Sequence, residues 1–417
     1  MIAKIVQDNL CISCGSCISV CEDKAINLTE NCGMYFPTVD KLRCRVCGAC
    51  LKVCPSYSVD LKGLNVEIFG KTPNQYLIGN IISAYLGYSS DENIRFNASS
   101  GGLITALLTL ALEEKIIDGA LVTRMNNVDP LKPESFIAKS KEEIVSAMGS
   151  KYCPVPLNKV IKELVQRDGR FALVGLPCHI AGVRKLEKKI PELKEKIVFH
   201  LGLFCSHTAN FNFTLFLLHL LNIDKGRILE LRYRGRGWPG YLTVALKEGE
   251  EFTIPYKWYS KFHKLFFFTP IRCMLCPDPL SQLADLSFGD AWIREIMNKD
   301  TKGTSICISR TAKGEELLEM GVQKGKVILK KMTYNQVMEI LPSMFRLRRI
   351  KVMENLLRKK IPFYNIDLPN PRILDYIVVI IYFFNNVLAK HKTTWPFIPS
   401  LSSLEQRLLH VLSAIIK

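Results

Sequence analysis

The sequence is short of acidic groups, of histidine and of long apolar runs. Its 417 residues hold 39 Asp and Glu against 56 Lys and Arg, a formal charge of +17, with only 7 His. The uninterrupted apolar stretch Tyr376 to Phe384 is nine residues long, well below the roughly 20 that a spanning helix needs. A simple membrane channel is therefore excluded. Met1 to Leu10 reach a cysteine cluster without an apolar core segment, so no secretory signal is expected. An apolar fraction of 48% with 23% charged residues excludes a disordered chain. There is no phosphate-binding P-loop, no HExxH, and no convincing nucleophile–His–acid set. The length suggests two or three domains with a real core.

What the chain has in abundance is cysteine, 15 in all. Without an export signal these thiols are expected to stay reduced in the cytoplasm, where they read as metal ligands before disulfides. The charge is uneven: residues 341–417 hold 12 basic and 4 acidic groups, almost half of the excess.

Residues 1–62 contain an internal repeat. Cys11, Cys14, Cys17 and Cys21 recur at Cys44, Cys47, Cys50 and Cys54, each displaced by 33 positions. Both runs have the C-x2-C-x2-C-x3-C spacing of two-cluster ferredoxins, in which three thiolates of a run grip one [4Fe–4S] cube and the fourth ligates the other. The expected sets are Cys11, Cys14, Cys17 and Cys54, and Cys44, Cys47, Cys50 and Cys21. Gly15 and Gly48 sit inside the loops. Glu22 stands where the first run would carry a proline, which loosens the turn but removes no ligand. Zinc ribbons pair two CxxC units for four thiols; here each run offers four. Cys32 lacks a matching partner and reads as a packed thiol. A polar stretch through Gly63 and Pro73 reads as a linker.

From about Ile81 strand-like and helix-like segments alternate, which favours an α/β core with a mixed sheet. Cys178 and Cys205 each follow a predicted strand at the same end of a parallel pair, the crevice where such sheets bind ligands. With Cys273-x2-Cys276-Pro277 they make a candidate third [4Fe–4S] site. Cys153 and Cys307 read as core residues, and His179 and His207 as structural histidines.

Asn97-Ala-Ser-Ser-Gly-Gly102 precedes a long apolar helix, and Ser99, Ser100, Gly101 and Gly102 there are candidates for holding a phosphate on free helix amides. An ordinary serine cap explains these residues equally well. Lys151, in Gly149-Ser-Lys-Tyr152, is a candidate partner for the same ligand. Gly235-Arg-Gly-Trp-Pro-Gly240 satisfies G-x-G-x-x-G literally, but it contains Pro239 and leads into a strand, so it is a hairpin loop and not a dinucleotide fingerprint. Arg232, Arg234 and Arg236 beside it form a basic lip suited to an anionic ligand.

Together these motifs resemble the coenzyme F420 hydrogenase/dehydrogenase beta subunits, in the form carrying an N-terminal dicluster ferredoxin. The resemblance runs from Cys11 to about Met332 and closes with Ala284-Asp-Leu-Ser-Phe-Gly-Asp-Ala-Trp292. It implies FAD held by Ser99 to Gly102 and Lys151, a proximal cluster on Cys178, Cys205, Cys273 and Cys276, and two-electron exchange with coenzyme F420. Asp290 would hold the loop near that cluster. His179 stands where relatives often have glutamine. A deazaflavin carries hydrides and iron–sulfur clusters carry single electrons; flavin does both, so FAD belongs between them.

The expected architecture is α+β or α/β: a dicluster ferredoxin-like domain over 1–62, a mixed-sheet flavin and iron–sulfur domain over 80–335, and a helical tail over 340–417. That tail is basic (Arg346, Arg348, Arg349, Lys351, Arg358, Lys359, Lys360) and then apolar. It is expected to dock on protein before it contacts a membrane peripherally. The expected function is an F420-linked oxidoreductase with a redox partner, since no nickel or molybdopterin site is evident. The alternatives are the same cofactors acting on another substrate, a non-catalytic electron relay, and a zinc-ribbon nucleic-acid binder; eight thiols in two ferredoxin runs argue against the last.

Overall fold

A computed structural model describes the chain except for residues 1, 74, 76, 340–344, 358–365, 367 and 416–417. Arg358, Lys359 and Lys360 of the basic stretch therefore lie outside the described residues.

The 33-residue repeat folds as two copies of one loop. Ser13 and Val46, which correspond, both have φ near +60°, and Gly15 and Gly48 follow in left-handed conformations. Each then starts a single helical turn, Ser16–Ser19 and Ala49–Lys52. Between the copies β1 (Ile26–Asn31) and β2 (Met34–Val39) pair antiparallel. Their connection is Cys32-Gly33, both at positive φ, the two-residue turn that matches strand twist. Cys32 is exposed at that tip, which corrects its reading as a packed thiol: the hairpin needs the turn more than the core needs the sulfur.

The expected linker is also corrected. Residues Leu61–Phe69 form a helix. Asp60 caps it by accepting from the Gly63 amide at 2.9 Å, and Val59, Leu61 and Leu64 are buried in the main core.

The main sheet has eight strands: β3 (Ser83–Ser89), β4 (Gly119–Met125), β5 (Pro133–Ala138), β6 (Phe171–Gly175), β7 (Ile197–Leu203), β11 (Leu286–Asp290), β12 (Ser305–Ser309) and β13 (Val327–Lys331). Their order is β13-β3-β12-β11-β7-β6-β4-β5. β3, β4, β6, β7 and β11 run one way and the others oppose them. Alternation along β4 feeds two cores: Leu121 faces Leu173, Ile180 and Leu164, while Ala120 and Val122 face Leu107, Leu317 and Leu318. Helices thus cover both faces, and the loops leaving the five co-directional strands gather at one edge. A second sheet, β8 (Ile228–Arg232), β9 (Tyr241–Leu246) and β10 (Glu251–Pro255), is an antiparallel meander. The Gly235–Gly240 loop joins β8 to β9, as its sequence required.

The C-terminal residues pack against the rest. Helix Ile373–Lys390 is long and apolar enough, by length and composition, to cross a membrane. Its inner face is engaged by protein: Tyr382 donates to the Thr269 carbonyl at 3.3 Å, and Asn385 to the Leu265 carbonyl at 3.0 Å. Val379 and Tyr382 bury against Met274 and Leu275. Ile373, Ile380, Phe384 and Val387 face outward and are exposed.

Candidate functional site

Cys11, Cys14, Cys17 and Cys54 line one small cavity together with Ile2, Ile5, Ile12 and Pro37. This is the first expected set, with the fourth thiol supplied by the distant run. Burial pushes Cys11 up to about 12 and Cys54 up to about 11, and raises Cys14 and Cys17 as well. As thiolates they require a strongly cationic group among them, which fits an iron cluster. In the second set Cys21 and Cys50 share an apolar cluster, while Cys47 is exposed. Arg45 ties the two loops by bonding Asp23 at 2.8 Å. No three His, Cys, Asp or Glu side chains among the described residues converge as a single metal ion requires.

The first copy is seated on the α/β part. The Asn158 amide donates to the Cys14 carbonyl at 2.9 Å, and Asn158 Nδ2 donates to Ser16 Oγ at 2.9 Å. Gly182 is required there, because a Cβ would stand 2.3 Å from Ser16 Oγ. Lys185 donates to the carbonyls of Cys54, at 2.9 Å, and Ser58, at 2.5 Å.

The third set comes from three separate segments. Gly175 pairs with Gly202 across parallel β6 and β7, so Cys178 and Cys205 leave adjacent strand ends. Cys178 lies in the first turn of helix Pro177–Glu187, where the dipole favours a thiolate. The strap after Cys276 closes on Cys205, whose amide donates to the Pro279 carbonyl at 2.8 Å. Burial, with the neighbouring thiols adding to it, holds Cys178 and Cys205 high and pushes Cys273 up to about 11. Cys178 and Cys273 also pack against Cys14 and Ile12 of the first run. Buried Arg272 stands at that junction, donating to the Pro55 carbonyl at 3.1 Å.

The flavin candidates converge on one network. Ser99 Oγ accepts from the Ser150 amide at 2.8 Å. Arg234 donates to the Ser99 carbonyl, to Asp290 at 3.0 and 3.2 Å and to Tyr152 at 3.4 Å. Trp238 donates to Asp290 at 2.8 Å. Arg234 is buried and its guanidinium is already engaged, so it knits four motifs together and is not free to grip an anion. Arg232 and Arg236 are exposed and paired with Glu230 and Glu251, which neutralises much of the expected lip. Gly101 is fixed by close packing, since a Cβ would lie 2.5 Å from the Gly87 carbonyl. Ser100 bonds Thr304 and Ser305. Gly102 opens helix Leu103–Glu113 without a side-chain cap, leaving that end suited to an anion. Lys151 donates to the carbonyls of Ala147, Met148 and Gly149, and burial pushes it down to about 7.

Asp290 is structural: it anchors the Arg234 and Trp238 loop. His179 and His207 are structural, bonding the carbonyls of Val155 and His263 at 2.9 and 2.8 Å. Cys153 and Cys307 are core residues. Tyr256 and Trp292 stack at 5.8 Å between centroids beside Arg234; Trp292 ends the closing motif, whereas nothing local marks Tyr256. Arg346 and Arg349, expected only as part of the basic tail that docks on protein, reach the third site from that tail. Two arginines three positions apart in a basic run do not name the surface they meet.

Residues 84–162 match a family model described as coenzyme F420 hydrogenase/dehydrogenase, beta subunit N-term, and residues 168–334 match the corresponding C terminus. Residues 10–59 match a 4Fe-4S dicluster domain. Coenzyme F420 hydrogenase subunit beta of Methanothermobacter thermautotrophicus is 27% identical over 57% of this chain and 80% of its own length. The coenzyme F420 hydrogenase subunit beta of Methanosarcina barkeri is 26% identical over 66% of this chain and 88% of its own. A solved F420-reducing [NiFe] hydrogenase complex from Methanosarcina barkeri aligns at 26% identity over 62% of this chain and 84% of that chain, with a TM-score of 0.49.

Proposed function

The chain belongs to the family of coenzyme F420 hydrogenase/dehydrogenase beta subunits, and from that premise we propose that it moves electrons between a deazaflavin and three [4Fe–4S] clusters through bound FAD. The flavin supplies the exchange of one hydride for two single electrons. The observation that carries the reading is the gathering of Cys178, Cys205, Cys273 and Cys276 beside Cys14, at the same sheet edge as the Ser99–Arg234–Asp290 network.

In this reading the helix end at Gly102 would receive the FAD phosphates, and Lys151, its ammonium held by three backbone carbonyls, would shape the adjoining loop. Arg234 and Asp290 fix the loops around them, and Tyr256 and Trp292 offer ring faces to a planar ligand. Buried Cys14 and Cys273 shield the inner junction, where Cys14 adjoins Cys178, from water. The exposed side of the second set, at Cys47, is where a cluster held there would face a partner protein. A hydrogen- or formate-oxidising centre would belong to that partner.

The test is anaerobic purification, quantitation of iron and flavin, and a stopped-flow mix with reduced coenzyme F420. Prompt flavin bleaching followed by cluster bleaching is expected; unchanged spectra would contradict the proposal. Flavin without this reaction would point to another reducible substrate, and intact clusters without flavin to a non-catalytic relay.

A further inference from the structure

Arg346 and Arg349 lie on helix Phe345–Leu357, beyond the family match that ends at residue 334. Both are buried, at 8% and 3% exposure. Arg346 Nη1 donates to the Cys276 carbonyl at 3.0 Å, and its Nη2 to the carbonyls of Cys205 and Ser206 at 3.3 and 2.7 Å. One guanidinium therefore clips together two of the three segments that supply the third set. Arg349 Nε donates to the Met274 carbonyl at 3.3 Å, between Cys273 and Cys276. Its Nη2 has no hydrogen-bond partner among the described residues.

Neither arginine makes an ion pair with a carboxylate among the described residues, whereas Arg348 between them is paired with Asp375 at 2.7 Å. Asp278, two residues after Cys276, accepts from the amides of Leu280 and Gln282 instead. A buried charge without a partner is strongly unfavourable, and burial pushes Arg349 down to about 9. Two such charges beside four thiols require an anion, and a thiolate-ligated cube is one.

We infer that Arg346 and Arg349 are positioning residues for the third cluster, holding its loops and raising its reduction potential with two positive charges that form no ion pair among the described residues. The inference rests on the proposed third cluster. When that cluster accepts one electron from the reduced flavin, it gains one negative charge and no bond breaks; nearby cations stabilise that gain. Net charge and hydrogen bonding are the protein's means of setting such potentials. Arginine suits the place because its planar fork serves two loops at once, which a lysine ammonium does less well.

The test uses the full chain, purified anaerobically, with iron quantitation and a potentiometric titration followed by electron paramagnetic resonance. The third cluster's signal is the one missing in Cys178→Ser. In the unsubstituted protein its midpoint is expected to be the highest of the three, and a midpoint below both ferredoxin clusters would overturn the inference. Arg349→Gln is expected to keep its iron and lower that midpoint by at least the 59 mV that a tenfold change in a one-electron equilibrium represents. Arg349→Lys, which keeps the charge, and Lys351→Gln, on the same helix, are expected to leave it in place. Full iron with an unchanged midpoint in Arg349→Gln would overturn the inference, as would an equal fall in Arg349→Lys. About eight iron atoms per chain in the unsubstituted protein would instead overturn the third cluster itself.

Discussion

The two cysteine runs share a sequence pattern and a backbone, yet they sit in opposite surroundings. Gly15 and Gly48 have φ of 86° and 73°. A Cβ on Gly15 would lie 2.6 Å from the Lys159 amide nitrogen, whereas one on Gly48 would meet nothing within 4 Å. Cys14 and Cys17 are buried; Cys47 is exposed, beside Leu42 at 98% exposure and Val46 at 65%. The local spacing therefore decides how a cube is gripped, and the neighbouring domain decides what that cube is for. On the proposed reading the first copy, which packs against Cys178 and Cys273, would be an inner station, and the second, with Cys47 exposed, a terminus open to a partner.

The largest expected effect separates stations from terminus. Cys14→Ala should abolish electron delivery from the flavin side to the second cluster. Cys47→Ala should leave delivery to the first cluster intact and abolish only export to an external acceptor. Rapid mixing, with and without that acceptor, distinguishes them, and equal loss of internal transfer in both variants would break the comparison. Next, limited oxidation with ferricyanide should release iron in two phases, with the faster phase belonging to the exposed second set and missing in Cys47→Ala.

A smaller effect concerns the glycines. Alanine at either position bears a left-handed penalty of about 1–2 kcal/mol. Gly15→Ala adds overpacking against backbone, about 1–3 kcal/mol more. Thermal melts of the cluster-loaded protein should rank Gly15→Ala well below Gly48→Ala, and a reversed ranking would deny the first copy its seat.

The smallest effect is acid sensitivity of that seat. Glu187 ends the helix that carries Cys178, Gly182 and Lys185. Burial alone would raise its carboxyl, but His200 at 2.8 Å and Arg184 at 3.1 Å outweigh that and hold it down to about 2. A carboxylate depressed in the folded state stabilises above its unfolded pKa of about 4.3, and the contribution fades as pH falls toward about 2. A loss on the order of 1–2 kcal/mol is expected between about pH 5 and 3. The melting temperature of Glu187→Gln should fall less steeply over that window, and parallel curves would remove Glu187 from the account.

Much of this was legible in the residues because its cause is local. The cysteine spacing names its own ligand sets, and Pro239 together with the strand at Tyr241 exposes Gly235–Gly240 as a hairpin. β6, β7 and helix Pro177–Glu187 followed from apolar runs punctuated by glycine and proline. What was not legible depends on long-range closure. Nothing around Gly63 separates a linker from a helix until the core beneath Leu61 and Leu64 exists. Arg234 reads as a free cation until Asp290, 56 positions on, takes its guanidinium. Arg346 and Arg349 lie in a basic tail whose docking surface the pattern does not name, and only the fold turns them toward Cys205 and Cys276. The antiparallel strands β5, β12 and β13 hold three apolar residues each but become strands only once β3 and β4 pair with them.

The most direct measurement of the central claim is iron and acid-labile sulfide per chain in oxygen-free preparations of the protein and of Cys178→Ser/Cys273→Ser. About twelve iron atoms falling to about eight, with the ferredoxin signals unchanged, is the predicted result. About eight in both would mean that the four thiols at the sheet edge hold no cluster and that no inner junction links the flavin side to the ferredoxin runs.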